Sequence, residues 1–265
     1  MLSRLSRLSR PKILAVCALP VVALLATAVF APLPFAVAQP GSTADVLGSN
    51  KGEPVITISG APTRKTEGRL LMTTIVATGP GTRVDLGDVW DNWFREDRAV
   101  MPYDSVYPSG DTTEEIERHN LDQMEKSQDT ATQAALKHLG EDPGKVDVEL
   151  RLARVGGPSA GLLFALGIVD KLDGNGSGGD LTGGRVIAGT GTIAADGKVG
   201  AVGGVELKTQ AARRDGATVF LVPKDECDQA EAELPEGLRL IPVTDLKGAV
   251  QSLSALDKGQ RVPSC

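Results

Sequence analysis

Ser159 stands in the run Gly156-Gly157-Pro158-Ser159-Ala160-Gly161. It ends an extended segment and opens an apolar one, residues 160–172. A serine hydroxyl in that position can act as a nucleophile. Its glycines let a substrate backbone come close. Unpaired N–H groups at a helix start can hold a developing oxyanion. The serine still needs a base. The chain has two histidines, His119 and His138, and both precede Ser159.

Residues 157–161 fit the G-x-S-x-G nucleophile elbow of the α/β-hydrolases. That setting requires the chain order Ser, Asp/Glu, His, which is impossible here. A His-Asp-Ser order is also poor, since a single strand separates His138 from Ser159. No Cys or Asp stands at ligand spacing from either histidine, so both read as surface or boundary residues. Lysine remains. In a helix over residues 205–214, Val205, Lys208, Ala211 and Ala212 share one face. Burial lowers the pKa of a lysine from about 10.4 by up to several units. The neutral amine can then take the serine proton. The competing reading is a lysine whose stem packs while its head reaches water. Periodicity alone favours that second reading.

The elements that must position these residues are legible in outline. Residues 54–60 read as a short strand and 68–76 as its hairpin partner. Residues 84–94 read as a short helix or an irregular segment, and 103–110 as a loop. A helix is predicted from Asp111 to about Leu139, with Glu114 and Glu115 in its first turn and Gly140 as C-cap. Residues 146–152 alternate strictly, as a half-buried strand does. Strands follow at 184–190, 218–223 and 238–243. A hairpin turns at Asp196-Gly197. Helices are expected at 205–214, 228–234 and 245–253. The glycines at 174, 176 and 179 match G-x-G-x-x-G only formally, because they follow a helix and open none. As a calcium loop the same stretch fails at position twelve, which is Gly184. No P-loop motif occurs.

Composition limits the classes. The 265 residues are 41% hydrophobic and only 3% aromatic, so small aliphatic side chains must fill the core. A net charge of −6 argues against a nucleic-acid partner. Arg4, Arg7, Arg10 and Lys12 precede an uncharged run over residues 13–39, long enough to span a bilayer. The basic flank implies a cytoplasmic tail, residues 1–12, and an exported remainder. The rival is a signal sequence cut after Ala38 and a secreted chain. Residues 40–53 read as a linker, 54–253 as one domain and 254–265 as a tail. Cys17 reads as an apolar membrane residue. Cys227 and Cys265, both in the exported part, are expected to form a disulfide.

Residues 157–161, 187–193, 197–199, 202–208 and 217–223 resemble, in that order, the proteolytic domain of Lon proteases. The resemblance is strongest over 148–223 and extends weakly back to Pro54. It implies an α/β (α+β) fold in which Ser159 is the nucleophile and Lys208 the general base. It also implies that the Thr190 hydroxyl bonds the lysine, with Gly157, Pro158 and Ala160 supporting the serine. The N-terminal segment looks closest to membrane-anchored proteins that join a PDZ domain to a Lon domain. Here residues 140–145 alone stand where the PDZ would be. The ATP-dependent enzymes often carry an acidic residue just before Gly-Pro-Ser, where this chain has Gly156. The expectation is a membrane-anchored, ATP-independent serine endopeptidase acting on protein or peptide substrates. It needs no cofactor or metal, and a homo-oligomer stays open. The alternative is a non-catalytic Lon-like scaffold that binds peptides; a serine esterase ranks third.

Overall fold

A computed structural model of the protein describes residues 10–108, 112–152 and 157–265. Asp111 at the expected helix start, Gly156 before the serine motif, and Arg4 and Arg7 of the basic tail lie outside the described residues.

The described residues open with α1 (Arg10–Phe30), followed by β1 (Phe35–Asp45), β2 (Ser49–Asn50), β3 (Glu53–Pro54), β4 (Ile56–Ser59) and β5 (Arg69–Ala77). Next come α2 (Leu86–Trp93), β6 (Ala99–Pro102), α3 (Tyr103–Val106), α4 (Thr113–Leu139) and β7 (Asp147–Leu150). A 3₁₀ turn, Pro158–Ala160, opens α5 (Gly161–Leu172). The rest is β8 (Val186–Gly189), β9 (Thr192–Ile193), β10 (Val199–Gly200), α6 (Val205–Arg214), β11 (Val219–Pro223), α7 (Cys227–Ala232), β12 (Arg239–Val243) and α8 (Leu246–Asp257).

Six strands form the main sheet in the order β12-β11-β8-β5-β1-β6. The four from β12 to β5 are parallel, and β1 and β6 each run antiparallel to their neighbour. Side chains alternate across a strand, so each strand feeds two cores. Leu70, Met72, Ile187, Val219 and Leu221 pack with residues of α4, α5 and α8. Leu71, Ala188, Phe220 and Val222 face Val205 and Ala212 of α6 and Ala230 of α7. This is a mixed α/β architecture, as the resemblance implied. Helix α5 is buried along almost its whole length, residues 161–170, which fixes the residue at its start.

α4 is bounded by its sequence. Thr112 and Glu115 form a reciprocal capping box at its start, and Gly140 closes it in a left-handed conformation at φ 71°. His119 is half-buried and His138 exposed on this helix. Residues 140–146 turn directly from α4 into β7.

Four expectations are corrected. The stretch at 54–60 does not pair with 68–76: β4 pairs with β7, and β5 lies between β1 and β8. Residues 40–53 are not a linker, because β1 runs through them to Asp45 and β2 and β3 follow. The segment read over 13–39 divides, with α1 ending at Phe30 and β1 starting at Phe35. Ala36 and Ala38 are buried in that strand, so a cut after Ala38 would sever a strand paired on both sides. The C-terminal tail also joins the domain. α8 continues to Asp257, and Cys265 is bonded to Cys227 with S–S 2.14 Å and Cα–Cα 5.4 Å. Among the described residues no helix is long and apolar enough to cross a membrane.

Candidate active site

Ser159 sits in the 3₁₀ turn ahead of α5, half-buried. Two glycines shape that turn. Gly157 has φ 87°, a conformation a side chain would oppose. At Gly161 a Cβ would lie 3.0 Å from both Ile193 and Ser127 side-chain atoms, so glycine lets α5 start against α4 and β9 without displacing either. Hydrogen bonds then fix the turn. The Ser127 hydroxyl donates to the Pro158 carbonyl at 3.1 Å. The Gly191 N–H donates to the Ser159 carbonyl at 2.9 Å, and the Gly157 N–H to the Asn120 carbonyl at 3.1 Å.

Thr190 follows the C-terminal end of β8, where open parallel sheets place their ligands. It is fully buried. Its hydroxyl donates to the Ser159 carbonyl at 3.3 Å and accepts from the Lys208 amine at 3.2 Å. Lys208 lies on α6, only 3% exposed, on the face that also carries the buried Val205, Ala211 and Ala212. The snorkelling alternative therefore fails, since the amine ends inside the protein. Burial pushes its pKa down to about 8, against the opposing pull of the Glu226 and Glu206 carboxylates.

Ser159 and Lys208 line one cleft of about 370 Å³. Its walls include Thr74 and Ile75 of β5, Met101 of β6, and Val106 and Tyr107 at the end of α3. The stretch 103–110 reads from its sequence as a loop with no part in the site, yet it opens with α3 and lines the cleft. In the fold, the Tyr107 hydroxyl donates to the Thr78 carbonyl at 2.7 Å, which ties that segment over β5. Glu226 was also missed. It is buried at the start of α7, and both its oxygens accept the Val202 N–H, at 3.1 and 3.0 Å. This grip holds the loop ahead of α6 that lines the cleft. No local pattern marks either residue, because each meets the site through contacts distant in sequence.

Pro158 and Ala160 lie in the turn itself, and Gly157 caps its start. Neither histidine reaches the cleft lining. Among the described residues no group of three or more His, Cys, Asp or Glu side chains could hold a metal ion.

Residues 152–253 match the family model of the Lon protease (S16) C-terminal proteolytic domain. These residues form a Lon-type proteolytic domain. The match takes in Ser159, Thr190 and Lys208, while β1, β5 and α4 of the same fold lie ahead of it. The Lon protease of Clostridioides difficile (strain 630) is 42% identical over 83 residues. That alignment covers 31% of this chain and 10% of the relative, so the likeness concerns a small part of the curated protein. The Lon-type domain thus supplies the whole serine, threonine and lysine set from β8, the α5 turn and α6.

Proposed function

We propose that this chain is a serine endopeptidase of Lon type, in which Ser159 attacks the substrate and Lys208 is the base. The observation that carries the reading is the buried Lys208 amine, bridged by Thr190 to the backbone of Ser159 in one cleft. A lysine with a pKa near 8 is partly neutral at physiological pH and can accept a proton. The Ser159 hydroxyl gives that proton to the amine as its oxygen bonds to the scissile carbonyl carbon. A backbone N–H of the turn that carries Ser159 is the donor proposed for the tetrahedral oxyanion, because the first N–H groups of α5 itself, at Gly161 and Leu162, already bond the Pro158 and Gly191 carbonyls. The ammonium returns the proton to the leaving amine, and a water molecule activated by Lys208 then hydrolyses the acyl-enzyme.

The reaction is proposed to run without ATP, since the chain's sequence holds no P-loop. The chain is further proposed to attach to a membrane through α1, with the proteolytic domain on the extracytoplasmic side. Exposed apolar side chains around α1, among them Leu14, Leu19, Val22, Leu24 and Leu25, support the attachment. The Cys227–Cys265 bond supports the extracytoplasmic side.

Incubation of the purified chain with a quenched fluorescent peptide library, without nucleotide, tests the activity. Turnover by the parent, lost in Ser159→Ala, supports the peptidase. Peptide binding by a folded parent that never cleaves would favour the scaffold reading.

A further inference from the structure

Helix α2 presents an unusual face. Leu86, Val89, Trp90 and Trp93 recur at helical spacing, and Phe94 caps the end. Such a stripe normally packs inward, yet α2 buries no residue. Leu86, Trp90, Trp93 and Phe94 are between 46% and 72% exposed, and the Trp90 and Phe94 rings touch edge to face at 5.2 Å. The helix is well specified all the same, with a reciprocal capping box between Asp85 and Asp88. Its apolar face is therefore built and left outward.

We infer that this face lies in the surface layer of a lipid bilayer, beside α1. The inference rests on the membrane attachment of α1 proposed above. The two helices are neighbours: α1 packs on α2, and the Leu33 N–H donates to the Val84 carbonyl at 2.8 Å. Exposed apolar side chains of α1, from Leu14 to Leu25, point in all directions around the helix. A second protein surface would cover one side of such a helix, whereas lipid covers all of it. The α2 face continues that apolar surface and is rich in tryptophan and phenylalanine, the side chains suited to the headgroup boundary. Asp88, Asp91 and Asn92 provide the polar side of the helix. Acidic residues outnumber basic ones around α2, so apolar burial rather than attraction to anionic lipid drives the contact. From Phe94 the chain runs directly into β6 and α3, which wall the cleft. Contact at α2 thus holds the cleft near the bilayer.

The chain has two tryptophans, and both lie on α2, so tryptophan emission, excited selectively over that of Tyr103 and Tyr107, reports this helix alone. The full chain is reconstituted into phosphatidylcholine vesicles, with and without bromine atoms on the upper acyl chains. Vesicle flotation reads α1 attachment separately. The inference requires flotation, a blue-shifted emission and loss of that emission in brominated vesicles. Both effects should weaken in Leu86→Asp and Phe94→Asp, which alter exposed positions and keep both tryptophans. If the chain floats but its tryptophans are neither shifted nor quenched, the α2 inference is wrong and the α1 attachment stands. If it does not float, both fall. A blue shift that grows with protein concentration and ignores bromine would assign the face to a second copy of the chain and overturn the inference.

Discussion

The Lys208 amine donates a hydrogen bond to the Thr190 hydroxyl oxygen at 3.2 Å, with both side chains buried. The Thr190 proton is directed to the Ser159 carbonyl at 3.3 Å, so its oxygen is left to accept from the lysine. A neutral amine keeps this bond, which lets Lys208 hold its place through a proton-transfer cycle.

Activity should depend on the charge of Lys208. Protonated lysine cannot accept the serine proton, so kcat/KM should rise with pH through about 8 and level off above it. A pH profile on a neutral peptide checks this. A rate that is flat from pH 6 to 9 would go against lysine as base.

Thr190→Ala should lower turnover less than either dyad substitution, because it orients the amine without exchanging protons. Lys208→Arg should be inactive, since a guanidinium does not lose its proton near neutral pH. Steady-state kinetics on folded variants, verified by circular dichroism, separates these effects. Thr190→Ala with unchanged kcat would remove its positioning role.

The buried lysine should cost stability. Its folded pKa lies below the unfolded value, so the penalty is complete below about pH 8 and eases as pH climbs toward 10.5. Lys208→Met should therefore raise stability at pH 7 by on the order of 2–3 kcal/mol while ending activity. Urea melts of parent and variant at pH 7 and pH 10 check the sign, and the gain should shrink at the higher pH.

Asp170 is a second buried charge. One oxygen accepts the Leu181 N–H at 2.8 Å, the other has no hydrogen-bond partner among the described residues, and burial raises the pKa to about 6. Here the folded pKa lies above the unfolded one. The penalty is absent below pH 3.8 and complete above about 6. Asp170→Asn keeps an acceptor for Leu181 and should stabilise the fold at pH 7 by on the order of 1–3 kcal/mol. Thermal melts should show the gain fading toward pH 4.

Cys227 and Cys265 close a loop of sequence separation 38. Cys265→Ser should lower stability by about 2–4 kcal/mol, mainly by freeing the unfolded chain. Denaturant melts measure the loss, and thiol counting on the denatured, non-reduced parent should find Cys17 alone reactive.

Much of the site was legible because its signals are local. The glycines around Ser159, the face shared by Lys208, Ala211 and Ala212, and the caps of α4 each sit within a few residues. β1 was not legible. Its sequence passes through Pro40 and Gly41, and the register with β5 shifts between Pro40 and Thr43, so the break that looked like a linker is an irregularity inside a strand. The false hairpin had a similar cause. β4 finds its partner in β7, about ninety residues later in the chain, and strand propensity carries no record of such a pairing. The α2 face was hidden differently: its spacing is that of a core helix, and only the fold shows that it points outward.

The central claim is that Lys208 activates Ser159. An acylating serine-hydrolase probe, followed by peptide mass mapping, tests it most directly. The account predicts a single adduct on Ser159 in the parent, more at pH 9 than at pH 6.5, and none in folded Lys208→Ala. A folded parent that is never labelled, or a Lys208→Ala variant labelled at Ser159 as fast as the parent, would contradict it.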